Sequence, residues 1–333
     1  MNIGVIGAGS WGTTLADLLS KNGHAVTLWA YEQDLVERMR QHRKNDLYLP
    51  DFTLDDKLAF TSELSEVAAG KDMLVLVAPS QVLRAVVRQA EPYMAENTVL
   101  VSAAKGIEND TLMAMSEVLS EVLPSKRCKR LAFLSGPTFA REVAAEIPTA
   151  LTVASEDEEI ARLVQKTFSN TYFRVYRSND IIGVELGGAL KNVIALAAGI
   201  SDGLGFGYNA RAALITRGLV EMTRIGLAKG AEERTFMGLS GMGDLVLTCT
   251  GDLSRNRSVG LELGRGRKLE DILSGMKMVA EGVKTTLSAY QLAQRLGVET
   301  PIIEQMYLIL FENKEPRDAV ADLMQRSLKA ELT

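Results

Sequence analysis

The stretch Ile3-Gly4-Val5-Ile6-Gly7-Ala8-Gly9-Ser10-Trp11-Gly12 decides the fold of this chain. An apolar run meets three spaced glycines and passes into the helical pattern Thr13 to Ser20. That order predicts strand, tight turn, helix. Gly7 permits the turn, Gly9 lets backbone approach a pyrophosphate, and Gly12 lets the helix lie close on the strand. The free amides of the first helical turn then face an anion. A second strand-like run, Ala25 to Trp29, follows where a βαβ unit requires it.

Working outward, Ile3–Ile6, Ala25–Trp29, Met73–Val77, Val99–Ser102 and Leu131–Leu134 read as parallel strands separated by helical runs. Ala150–Ala154 and Tyr172–Tyr176 extend the same sheet. Beyond Asp180 the strand signal stops, and helical periodicity marks 181–200, 209–229, 258–264, 269–274, 284–296, 302–311 and 316–324. The expected architecture is an α/β Rossmann-type, doubly wound dinucleotide-binding domain over 1–180, followed by an all-helical, substrate-binding domain over 181–333.

Composition narrows the function. The chain has 333 residues, 47% of them hydrophobic, and a net charge of −5. Its basic residues form short clusters instead of a stripe, which argues against nucleic acid as a partner. Cys128 and Cys249 are the only cysteines, so neither a disulfide scaffold nor a cysteine metal cluster is expected. No basic segment precedes an apolar one at the N-terminus, and the expected location is cytoplasmic. Ile181 to Ile200 has the apolarity of a membrane span but carries Glu185, Lys191 and Asn192. Each buried charge costs about 2.5–3.5 kcal/mol at a bilayer centre, so this run reads as a buried helix and not a span.

In an open parallel sheet, ligands gather beyond the carboxyl ends of the strands. Lys105, between an apolar strand and Gly106, points either into that cleft or into solvent. Gly136-Pro137-Thr138 reads as a helix start. A nicotinamide dehydrogenase also needs a group to move a proton, and the two histidines, His24 and His42, fall in solvated positions. Lys191 is the alternative. It lies within an apolar helix, and Gly187, Gly188 and Ala195 at helical spacing hollow out its face, leaving room for a ligand. Desolvation lowers a lysine's proton affinity into a range suited to acid–base work. The competing reading pairs Lys191 with a buried carboxylate. Asn192 is placed to orient a ligand amide or cap a backbone group. Asp244 and Thr248 share a face if a helix begins at 244, where Asp244 also fits an N-cap. Ser254-Arg255-Asn256 precedes a helix and suits a phosphate, with a solvated basic loop as the other reading.

Taken together, the motifs resemble the bacterial NAD(P)-dependent glycerol-3-phosphate dehydrogenase family. The resemblance runs nearly end to end. It is carried by Gly7-Ala8-Gly9-Ser10-Trp11-Gly12, Ala104-Lys105-Gly106-Ile107-Glu108, Ser135-Gly136-Pro137-Thr138-Phe139-Ala140, Glu185-Leu186-Gly187-Gly188-Ala189-Leu190-Lys191-Asn192-Val193, Gly243-Asp244-Leu245, Ser254-Arg255-Asn256 and Val279-Ala280-Glu281-Gly282. It implies interconversion of dihydroxyacetone phosphate and sn-glycerol 3-phosphate, supplying phospholipid synthesis, in a homodimer. By the resemblance Lys191 is the general acid/base, Lys105 and Asp244 hold the substrate's oxygens, and Ser254, Arg255 and Asn256 grip its far end. Gly136 and Thr138 also touch substrate, Thr138 standing where the family often has serine. Cofactor contacts are implied for Ser10, Trp11, Tyr31, Lys105, Ala140, Arg255, Val279 and Glu281, besides the glycines. Tyr31 stands where the family often has a basic residue, so NAD versus NADP stays open. A related two-domain dehydrogenase of hydroxy acids or sugar acids is the alternative.

Overall fold

In the computed structural model, which describes residues 1–276, 280–328, 330 and 331, eight strands form one sheet. They are β1 (Asn2–Ile6), β2 (Ala25–Trp29), β3 (Ala59–Thr61), β4 (Met73–Leu76), β5 (Val99–Ser102), β6 (Leu131–Ser135), β7 (Thr149–Ala154) and β8 (Phe173–Ser178). Their spatial order is β3-β2-β1-β4-β5-β6-β7-β8. Val5 of β1 is flanked by Leu28 of β2 and Val75 of β4, both parallel. The chain thus reverses direction across the sheet at β1/β4, and the glycine turn sits at this switch point, where ligand crevices open. Among these eight strands of the described residues, β6 and β7 alone pair antiparallel. β4 and β5 are fully buried, and they are apolar throughout except for Ser102 at the end of β5, because helices cover both faces.

β3 escaped the sequence reading. Ala59-Phe60-Thr61 is too short to show a period, and it lies at the sheet's edge.

The second region is built around the helix Ile181–Gly203. Neighbouring helices, among them Tyr208–Ala228, Arg255–Gly264 and Glu281–Leu296, cover it, so 83% of its most apolar window is buried in protein. Glycine makes the closest approach possible. A Cβ on Gly199 would stand 2.1 Å from the Arg257 carbonyl oxygen, and one on Gly260 would stand 2.0 Å from that of Leu196. The apolarity that mimics a membrane span is helix-on-helix packing.

Candidate active site

The glycine turn has the geometry its sequence predicts. Gly7 adopts φ +117°, and its N–H donates to the Trp29 carbonyl at 3.1 Å. A Cβ on Gly12 would lie 1.8 Å from the Gly7 carbonyl oxygen, so only glycine lets helix Ser10–Lys21 sit this close to β1. A Cβ on Gly9 would meet nothing within 4 Å. The helix begins at Ser10 and Trp11 with no side chain capping its first amides. Open space over uncapped amides fits the pyrophosphate of a dinucleotide. Ala140, which opens helix Ala140–Ala144, accepts from Thr14 Oγ1 at 3.2 Å, tying that helix to the glycine-turn helix. Tyr31 is 84% exposed just past β2. Glu281 opens helix Glu281–Leu296 and accepts from Ser80 Oγ at 3.2 Å, and burial pushes its carboxyl upward from the usual range. Val279 lies outside the described residues.

At the centre, one carboxylate joins two ammonium groups. Asp244 is completely buried. Its Oδ2 accepts from Lys105 Nζ at 2.7 Å, and its Oδ1 accepts from Lys191 Nζ. Lys105 comes from the loop after β5 and also donates to the Gly136 carbonyl at 3.1 Å. Lys191 comes from the long helix and also donates to Thr248 Oγ1 at 3.0 Å. Burial pushes the Lys191 amine down to about 7, with Lys105's charge adding to the shift and Asp244 opposing it.

Of the sequence readings, Lys105 does enter the cleft, and Lys191 is indeed paired with a buried carboxylate. The N-cap reading of Asp244 is corrected. Asp244 is the first residue of helix Asp244–Thr250, and its oxygens face the lysines. The open hollow beside Lys191 is corrected as well. A Cβ on Gly187 would stand 2.4 Å from the Ser240 carbonyl oxygen, and one on Gly188 would stand 2.4 Å from Ser135 Oγ and 3.5 Å from Lys105 Cδ. Those glycines admit protein, including the second lysine. Thr248, expected on one helix face with Asp244 but given no role, is a further partner of Lys191.

The 254–256 segment divides its tasks. Ser254 Oγ caps helix Arg255–Gly264 by accepting from the Arg257 amide at 3.2 Å. Asn256 is buried, donates to Asn192 Oδ1 at 2.9 Å, and accepts from the Gly282 amide at 3.0 Å. Asn192 is therefore engaged by a side chain and caps no backbone group among the described residues. Arg255 is exposed and makes no hydrogen bond or salt bridge among the described residues. Gly136 takes φ +154°, and its carbonyl also accepts from Thr138 Oγ1 at 3.2 Å, placing Thr138 beside the lysine pair. A cavity of about 650 Å³ lined by Thr149, Lys166, Asn170, Tyr172, Arg174 and Tyr176 lies at the far edge of the sheet and contains none of these residues. No group of three or more metal-ligating side chains is found among the described residues.

Comparison with known proteins gives concordant matches to both halves. Residues 2–161 match the family model described as NAD-dependent glycerol-3-phosphate dehydrogenase N-terminus, and residues 180–321 match its C-terminus counterpart. The chain is 88% identical over 332 residues to glycerol-3-phosphate dehydrogenase [NAD(P)+] of Syntrophotalea carbinolica, covering 100% of both. It is 63% identical to the protein of that name from Citrifermentans bemidjiense, covering 99% of this chain and 98% of the other. Among solved structures it resembles glycerol-3-phosphate dehydrogenase from Coxiella burnetii, with TM-score 0.93, 38% identity and coverage of 98% and 99%.

Proposed function

The chain belongs to the NAD-dependent glycerol-3-phosphate dehydrogenase family, and from that premise we propose that it interconverts dihydroxyacetone phosphate and sn-glycerol 3-phosphate with NAD(P)H. The observation that carries the reading is the Lys105–Asp244–Lys191 arrangement, set where the sheet and the helical region meet. The hydroxy-acid or sugar-acid alternative is not favoured, because both halves match models of the glycerol-3-phosphate enzyme.

A nicotinamide dinucleotide bound at the glycine turn supplies hydride in one direction and accepts it in the other. Gly7, Gly9 and Gly12 would shape its seat, with the amides at Ser10 and Trp11 toward its pyrophosphate and Tyr31, Ala140 and Glu281 beside it. In the reducing direction, Lys191 gives a proton to the ketone oxygen while Lys105 stabilises the negative charge developing there. In the oxidising direction, neutral Lys191 removes the carbinol proton. Asp244 holds the two amines in register. Arg255, which makes no hydrogen bond or salt bridge among the described residues and has Glu281 as a charge neighbour, reaches the substrate phosphate, with Ser254 and Asn256 beside it and Gly136 and Thr138 lining the other wall. Arg255 also reaches toward the dinucleotide. On the same premise the enzyme works as a cytoplasmic homodimer feeding phospholipid synthesis.

The test is an absorbance assay with NADH and NADPH separately, offering dihydroxyacetone phosphate and a panel of 2-keto acids. Turnover confined to the triose phosphate is expected, and turnover of the keto acids alone would replace this reading with the alternative.

A further inference from the structure

Between helix Gln33–His42 and β3 lies a segment that the reaction described above leaves without a role. Arg43 ends that helix in the left-handed region at φ +53°, turning the chain back toward the glycine turn. Asn45 then enters the protein interior and has no exposed surface. Its Nδ2 donates to the Ala8 carbonyl at 2.8 Å and to Thr13 Oγ1 at 2.8 Å, and its Oδ1 accepts from the Tyr48 amide at 2.9 Å. Every hydrogen-bonding position of the amide that these contacts use is specified, because only the NH₂ end can serve the carbonyl and only the oxygen can serve Tyr48. Thr13 Oγ1 passes its own hydrogen to the same Ala8 carbonyl at 3.2 Å. The segment is itself braced, with Leu49 N–H donating to the Asn45 carbonyl at 2.9 Å and Leu47 and Tyr48 packed on the sheet core. Tyr48 Oη donates to Glu32 Oε1 at 2.9 Å, so one short stretch of chain touches both the glycine turn and the acid after β2.

A trans peptide holds its C=O and N–H on opposite sides. Fixing the Ala8 carbonyl inward therefore fixes the Gly9 N–H outward. Gly9 is exposed, faces open space, and its N–H has no acceptor among the described residues. We propose that Asn45, with Thr13, is a positioning residue for the dinucleotide: it locks the Ala8–Gly9 peptide so that the Gly9 amide faces the pyrophosphate. This rests on the dinucleotide reading of the preceding section. A buried donor pair preset in the free protein spares the turn from reorganising when an anion arrives. It acts through the turn and touches neither reacting atom.

Two shape-preserving substitutions test it. Asn45→Asp keeps the acceptor for Tyr48 but sets a carboxylate oxygen against the Ala8 carbonyl. Thr13→Val removes the second donor. NADH binding by fluorescence titration is expected to weaken about tenfold or more in Asn45→Asp, and by less in Thr13→Val. The KM for dihydroxyacetone phosphate at saturating NADH should stay within about twofold of the parent, whereas a merely structural role would degrade both substrates together. Folded variants that both bind NADH within about twofold of the parent overturn the assignment. A parent protein that binds neither NADH nor NADPH overturns the dinucleotide reading itself, which separates the two failures, and a parent that binds only NADPH carries the same titration with that cofactor.

Discussion

In the proposed reaction Lys191 holds a proton in one direction and lacks it in the other, and its surroundings suit that exchange. Burial disfavours its charge, Lys105 disfavours it further, and Asp244 restores enough of it to bring the amine to about 7. The reducing reaction needs the ammonium, so its rate should fall as pH rises through about 7. The oxidising reaction needs the free amine, so its rate should rise through the same range. Matching limbs of opposite sign in the two directions are the expected pH profiles, and Lys191→Ala should remove both with a loss in kcat of about 100-fold or more. A profile flat between pH 6 and 8 in both directions, without buffer effects, would remove Lys191 from the proton step. The linkage to folding has a definite sign. A lysine depressed in the folded state binds fewer protons there than in the unfolded chain, so this group's contribution to stability rises as pH climbs from about 7 toward the ordinary lysine value of 10.5.

At the scale of elements, the glycines of the first turn separate into two kinds. Gly12 is needed by the packing of helix Ser10–Lys21 on β1, where a Cβ would drive into backbone at 1.8 Å. Gly9 has an ordinary φ of −63° and empty space around it, so the folded protein does not require glycine there. Gly12→Ala should therefore cost about 1–3 kcal/mol in urea unfolding. Gly9→Ala should stay within about 0.5 kcal/mol of the parent yet weaken NADH binding, because its methyl group occupies the space an incoming pyrophosphate needs. Equal destabilisation by the two substitutions would contradict this division. Helix ends show how much tertiary contact adds to local signals. Helix Pro301–Phe311 has Pro at its start, which the sequence announces. Its amides at Ile302 and Ile303 are capped by Glu221 from a neighbouring helix, at 2.7 and 3.1 Å. That carboxylate lies 81 and 82 residues away from them in the chain, so no local pattern points to it.

Across the whole molecule, the site exists only because two regions meet. Lys105 belongs to the sheet, Lys191 and Asp244 belong to the helical region, and Ser80 reaches across to Glu281. Asp244→Asn takes the carboxylate away from both lysines and leaves the buried Lys191 amine facing the partly buried Lys105 ammonium. Removing one partner of a buried pair costs about 3 kcal/mol, so a lower Tm is expected. The pH midpoint of any residual activity should also move below that of the parent, since Asp244 is what raises the Lys191 amine. An unchanged Tm and midpoint would mean that the carboxylate does not hold the pair together. Sequence alone determined the strand-turn-helix unit and the sheet's core, because period and glycine spacing act over a few residues. It also marked Lys191 and Lys105 as unusual, since a charge within an apolar run must be accommodated. It missed β3, whose three residues carry no period, and it left Asp244 between an N-cap and a ligand-binding role. Only the tertiary structure decided that Asp244 serves both lysines, that the glycines beside Lys191 admit protein, and that Asn45 fastens the glycine turn. Those outcomes depend on distances between segments far apart in the chain, which are fixed by packing and leave no trace in local spacing.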